Sequence, residues 1–162
     1  MRYAAVRPLD ISNGEGLGVA LFVQGCSLRC KGCFQPETWD FNGGQEFTQE
    51  TKEKIFKYLR QPGITRFTLL GGEPLENCNL FELSQIIDII KRDFPNIKIW
   101  VYSGYTRDEL RKRAQTSELK YLKFILDNID VLVDGPFIED QKDLNLKWCG
   151  SANQKIYYNG DI

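Results

Sequence analysis

Three cysteines fall within eight residues, Cys26-Ser-Leu-Arg-Cys30-Lys-Gly-Cys33, directly after a short apolar run, Val19-Ala-Leu-Phe-Val23, and a breaker pair, Gln24-Gly25. That order describes a buried strand delivering a sulfur-rich loop at its end. Three thiolates so close wrap one face of a metal centre, but cannot all pair as disulfides. Ferredoxin runs and zinc ribbons repeat a two-residue gap and bring a fourth ligand nearby. Here the gaps are three and then two, no fourth ligand is near, and the chain contains no histidine. A 4Fe–4S cluster on three cysteines leaves one iron without a protein ligand, open to a small molecule. Two other readings stay open: buried thiols without metal, or zinc completed by the distant Cys78 or Cys149.

The spacing resembles the radical S-adenosylmethionine (SAM) superfamily. Further motifs narrow the resemblance to the small activating proteins of anaerobic ribonucleoside-triphosphate reductases. They are Asn13-Gly-Glu-Gly16, Leu21-Phe-Val23, Gly25-Cys26, Gly32-Cys33-Phe34, Thr38-Trp39 and Gly71-Gly-Glu-Pro-Leu75, followed by Tyr102-Ser-Gly-Tyr105, Asp130-Val-Leu-Val-Asp-Gly-Pro-Phe137 and Gly150-Ser-Ala-Asn-Gln154. They run in order from about the first ten residues almost to the end.

The resemblance implies an enzyme of the oxidoreductase class, a glycyl-radical activase. Its cofactors would be SAM and a 4Fe–4S cluster on Cys26, Cys30 and Cys33, with no catalytic side chain beyond those ligands. SAM binds the open iron, an electron from the cluster cleaves its sulfonium, and the 5′-deoxyadenosyl radical takes hydrogen from a glycine Cα of the reductase. Glycines after a strand let backbone approach a ligand closely, so Gly71, Gly72, Glu73 and Pro74 are expected at the methionyl end of SAM. Gly32, Cys33 and Phe34 are expected at adenine, and Ser103 at the ribose. Each stretch also has a bland reading: a tight turn with Glu73 exposed at a helix N-terminus, core packing for Phe34, a simple turn at 103–105. The partners implied are the reductase's glycine loop and a reductant such as flavodoxin. Leu28 and Cys149 depart from the family pattern, which commonly has histidine and arginine there. Cys149 then reads as an exposed, oxidisable thiol and Cys78 as a small buried hydrophobe.

Elements of alternating type must position these stretches. Strands are expected near 2–6 and over 19–24, 66–70, 97–102, 129–133 and 155–158. Helices are expected from Thr48 through Leu59, from Leu80 to Phe94 on the spacing of Leu80, Leu83, Ile86, Ile87 and Ile90, and near 118–127. Thr106-Arg-Asp-Glu109 is a capping-box pattern that opens another. The long loop 25–47 is of a length that is usually functional. Strands separated by helix-length segments imply parallel pairing. The chain is too short for a closed eight-unit barrel of ~250 residues. The fold class expected is α/β, and the resemblance specifies a partial, open (β/α) barrel of the radical SAM type. Active groups then belong at strand ends: 25–34, 71–75, 103–105 and 134–137.

At 162 residues the chain suits one domain spanning 1–162, long enough to bury roughly 70% of its unfolded surface. Its 21 basic and 22 acidic residues leave a net charge of −1. That balance provides no electrostatic footprint for nucleic acid or an anionic membrane. Lys52, Lys54 and Lys57, interleaved with Glu50 and Glu53, read as a solvated helix face. No apolar run reaches the roughly 18 residues of a membrane span, and the first residues show no signal-peptide core. A cytoplasmic, reducing location is the expectation, where five cysteines point to metal rather than disulfides.

Two readings compete with the activase. One is a non-catalytic iron–sulfur or zinc module; the other is a small radical SAM enzyme acting on a free small molecule. An activase with an inserted ferredoxin-like domain would need about eight further cysteines at four per cluster, and only Cys78 and Cys149 are spare.

Overall fold

The computed structural model describes residues 1–116 and 119–162. Among these, seven strands form one open sheet accompanied by four helices, a mixed α/β architecture. In chain order the elements are β1 (Arg2–Asp10), β2 (Leu17–Val23), β3 (Gln45–Glu46), α1 (Gln49–Leu59), β4 (Ile64–Gly71) and α2 (Asn77–Asp93), then β5 (Lys98–Tyr102), α3 (Arg107–Ala114), α4 (Lys120–Asn128), β6 (Val131–Asp134) and β7 (Lys155–Tyr158). The sheet order is β3-β1-β2-β4-β5-β6-β7. Of the helix expected over 118–127, Glu118 lies outside the described residues.

The four central strands β2, β4, β5 and β6 pair in parallel, as expected from the helices between them. The flanking strands β1, β3 and β7 pair antiparallel. β2 is nearly continuous in apolar residues, and β4 is buried along most of its length with Arg66 and Thr68 included, because both of their faces are covered. One face carries Val19, Leu21, Val23, Phe67, Leu69, Ile99, Val101 and Leu132, and it packs against all four helices. Each helix supplies residues at helical spacing: Ile55, Phe56 and Leu59 from α1, and Leu80, Leu83, Ile87 and Ile90 from α2. Leu110 comes from α3, and Leu122, Ile125 and Leu126 from α4.

The opposite face carries Ala20, Phe22, Leu70, Trp100, Val131 and Val133 and has no helix on it. Trp148 and Cys149 of the irregular C-terminal segment pack there instead, with the Trp100 and Trp148 rings 5.8 Å apart. The turn at 11–16 is pinned to the same face: Thr68 Oγ1 donates to Asn13 O at 2.9 Å. Helices on one side and loops on the other leave the strand ends open above a pocket.

Candidate functional site

The loop that follows β2 is stitched to the sheet by its own backbone. Gly25 N donates to Thr38 O at 2.8 Å, and Cys26 N to Trp39 O at 3.2 Å. The buried Gln24 amide donates to Glu37 O at 3.0 Å and to Asp40 O at 2.8 Å. These bonds close residues 25–40 into a structured loop, with a single 3-10 turn at Pro36–Thr38. Within it Cys33 N donates to Cys30 O at 3.1 Å, which sets the last two cysteines on one turn.

The end of β4 meets this loop at close range. Gly72 N donates to Val23 O and Glu73 N to Gly25 O, both at 2.9 Å. Gly71 holds φ at +106°, and a Cβ there would lie 2.8 Å from Val23 O. A Cβ on Gly72 would run into Gly25 O. Glycine is required at both positions because two backbones touch.

Glu73 is 1% exposed, so it is not the exposed helix-terminal carboxylate of the bland reading. Its Oε1 accepts from Leu75 N at 2.8 Å and Ser103 Oγ at 2.9 Å, and its Oε2 from Gly104 N at 2.8 Å. One carboxylate thus ties the end of β4 to the end of β5. Burial pushes its pKa up to about 7 against the pull of these donors.

A cavity of about 440 Å³ opens above the strand ends, a size suited to a nucleoside-scale ligand. It gathers Cys26, Cys30, Cys33, Phe34, Gly71, Gly72 and Glu73 on one wall system. Gly32, Pro74 and Ser103 are not part of that wall; Ser103 is buried with its hydroxyl on Glu73. Gly104 lines the cavity in its place, with Leu28 packed where a Cβ would sit. Phe34 is 57% exposed and meets Phe137 at 4.8 Å, so it stands at the mouth. Gly135 from the end of β6 also reaches the cavity.

All five cysteines are free thiols. Burial pushes the Cys26 thiol above its ordinary value, ahead of the opposing backbone hydrogen bonds. Gln35 N donates to Cys33 Sγ at 3.4 Å, a contact that suits a thiolate. The three cysteines share the cavity wall, but among the described residues no three Cys, Asp or Glu side chains are grouped closely enough to hold a metal ion. Three soft thiol donors beside an open cavity suit an iron–sulfur cluster with one open iron, and Cys149 on the same wall adds a fourth thiol of the kind a tetrahedral zinc site uses.

Two spare cysteines differ from expectation. Cys78 is exposed rather than buried, because the inward face of α2 is set by Leu80, Leu83 and Ile87. Cys149 is half-buried and lines the cavity, so it is not a surface thiol. The cavity also takes in Ser12, Asn13, Tyr102, Trp148 and Gln154, to which the sequence assigned no chemistry. Asn13, Tyr102 and Gln154 carried a signal only as parts of the motifs Asn13-Gly-Glu-Gly16, Tyr102-Ser-Gly-Tyr105 and Gly150-Ser-Ala-Asn-Gln154, and Ser12 and Trp148 carried none. Gln154 fixes its segment, accepting from Gly150 N at 2.8 Å and donating to Gly135 O at 2.9 Å.

Residues 12–157 match the family described as 4Fe-4S single cluster domain. The chain is 40% identical over 159 residues to a protein of Vibrio cholerae, covering 97% of each. It is 42% identical to one of Haemophilus influenzae with the same coverage. It is 36% identical to one of bacteriophage T4, covering 99% of this chain and 96% of the relative. Each of the three is named anaerobic ribonucleoside-triphosphate reductase-activating protein.

Proposed function

Because the chain belongs to the family of anaerobic ribonucleoside-triphosphate reductase-activating proteins, we propose that it is a radical SAM activase that generates the glycyl radical of such a reductase. The observation that carries this reading is the single cavity shared by three cysteines and the glycine–glutamate end of β4. The cluster, when bound, supplies the electron that splits SAM into methionine and the 5′-deoxyadenosyl radical that takes hydrogen from the glycine Cα.

The chain's own residues bind and orient. Cys26, Cys30 and Cys33 hold the cluster. Backbone carbonyls of residues 71–73 receive the ammonium of SAM, with the buried Glu73 carboxyl behind them as the partner that the ammonium holds ionised. Cys33 and Phe34 meet adenine, and Phe34 with Phe137 shields the mouth from water. Ser103, expected at the ribose, acts by holding Glu73. The open sheet, with its helices on one face, suits a single-domain partial (β/α) barrel whose side admits a loop of the partner. No helix among the described residues is long and apolar enough to cross a membrane. A cytoplasmic setting with a flavodoxin-type reductant matches the oxygen-sensitive chemistry proposed.

The test is 5′-deoxyadenosine formation from SAM under dithionite without oxygen, with the reconstituted protein beside Cys30→Ala. The wild type should turn over and the variant should make none. Adding the reductase should then give a glycyl-radical signal by electron paramagnetic resonance. A colourless protein whose metal is indifferent to SAM would instead identify a zinc module.

A further inference from the structure

Two polar residues of the cavity wall, Tyr102 and Asn13, are not among those that the proposed function assigns to the cluster or to SAM. Tyr102, the last residue of β5, faces away from the helices and packs between the Phe22–Leu70 and Trp100–Val133 clusters. It lines the cavity, yet its hydroxyl is buried and makes no hydrogen bond. An unmade hydrogen bond of this kind is costly unless a ligand or water completes it. Burial pushes the phenol above its ordinary pKa, so the group stays protonated and acts as a donor.

Asn13 lies on the same cavity wall, and its amide has only one possible orientation. Asp10 accepts from Asn13 N at 2.9 Å and from Asn13 Nδ2 at 2.7 Å. A carboxylate only accepts, so the NH₂ must face Asp10, and Oδ1 is left without a protein partner among the described residues. Asp10 is held in turn by Arg66, whose Nη2 donates to Oδ1 at 2.6 Å and to the backbone oxygen at 2.8 Å. Arg66 is fully buried. It fits because Gly14 and Gly18 have no Cβ: one would fall 2.7 Å and 2.5 Å, respectively, from its side chain. A buried ion pair contributes little net stability when its desolvation is counted. Here it fixes a turn on the cavity wall.

We propose that Tyr102 Oη and Asn13 Oδ1 are a peptide-binding pair, the hydroxyl donating to a backbone carbonyl and the amide oxygen accepting from a backbone N–H of the glycine-bearing segment. Arg66 and Asp10 are the positioning residues behind Asn13. The pair deepens the activase reading and rests on it. It recognises main chain rather than a side chain, which is what a substrate centred on glycine offers. Tyr102 stands at the end of β5 on the helix-free face, directly before the Ser103 and Gly104 that hold Glu73.

The test uses the full-length reconstituted protein with the anaerobic reductase of the same organism, comparing wild type, Tyr102→Phe and Arg66→Met. Three quantities are read: glycyl radical formed per 5′-deoxyadenosine, KM for the reductase and KM for SAM. One neutral hydrogen bond corresponds to about a tenfold effect. Tyr102→Phe should therefore raise the reductase KM and lower the radical yield per SAM cleaved by about that factor, without shifting the SAM KM in proportion. Its thermal midpoint should not fall, since the unpartnered hydroxyl is removed. Arg66→Met should give the same uncoupling. If it fails to fold, the volume-conserving Tyr102→Phe still decides. Unchanged coupling and reductase KM overturn the proposal, as does a rise confined to the SAM KM. A wild type that cleaves SAM but never radicalises the reductase overturns the activase reading itself.

Discussion

Glu73 is the residue on which two strand ends and the candidate SAM site converge, and its titration makes that visible. Its pKa near 7 lies above the ordinary 4.5 because burial outweighs the donors of Leu75, Gly104 and Ser103. A folded-state value above the unfolded one means that the native state holds the proton more tightly. The resulting stability is complete below pH 4.5 and is gone once pH passes about 7. A shift of this size corresponds to about 3 kcal/mol. Urea midpoints of the protein freed of metal and SAM should fall across that window, and Glu73→Gln should flatten the fall. A wild-type profile as flat as the variant's would mean that the three donors keep the carboxylate ionised. The bound ammonium of SAM would favour the carboxylate and erase the dependence, so repeating the titration with SAM separates binding from burial.

Among the elements, those with a local sequence signal form where that signal lies, and those that depend on distant pairing have none. Thr106 and Glu109 form the capping box that their spacing implied: Glu109 N donates to Thr106 Oγ1 at 3.3 Å, and Thr106 N donates to Glu109 Oε2 at 2.7 Å. Removing the cap with Thr106→Ala should cost about 1 kcal/mol, read as a lower urea midpoint at unchanged slope. The five strands expected at 19–24, 66–70, 97–102, 129–133 and 155–158 are all present, because each is an apolar or β-branched run between breakers. β3 escaped notice. Gln45 and Glu46 are polar and exposed, and they pair with Arg2 and Tyr3 where the Arg2 guanidinium reaches Gly43 O at 2.7 Å and Gly44 O at 2.9 Å. No local pattern encodes such a contact between segments some forty residues apart. The site divides the same way. The cysteine loop and the end of β4 were legible because their chemistry is contiguous in sequence. Asn13, Tyr102 and Trp148 were not, because their meeting depends on which face of β5 looks away from the helices.

For the whole molecule, the main core and the candidate cluster loop are separate structures. The twenty-three buried residues of the helix-side core include no cysteine, and residues 25–40 are held by backbone bonds to one another and to the ends of β2 and β4. Stripping iron with a chelator should therefore leave far-ultraviolet circular dichroism and a cooperative thermal transition, unlike a zinc finger that unfolds without metal. Loss of that transition would show the cluster to be part of the folding core. The two borders of the sheet carry a further consequence. On one side β3 covers only Arg2 and Tyr3, so the rest of β1 keeps an open edge, whereas on the other β7 offers four residues before the turn at Asn159 and Gly160. An edge as short as β7 is a poor template for another strand. A partner cannot gain much grip there by extending the sheet through main-chain ladders, and a backbone-mimicking strand peptide aimed at the β7 border should be a poor inhibitor.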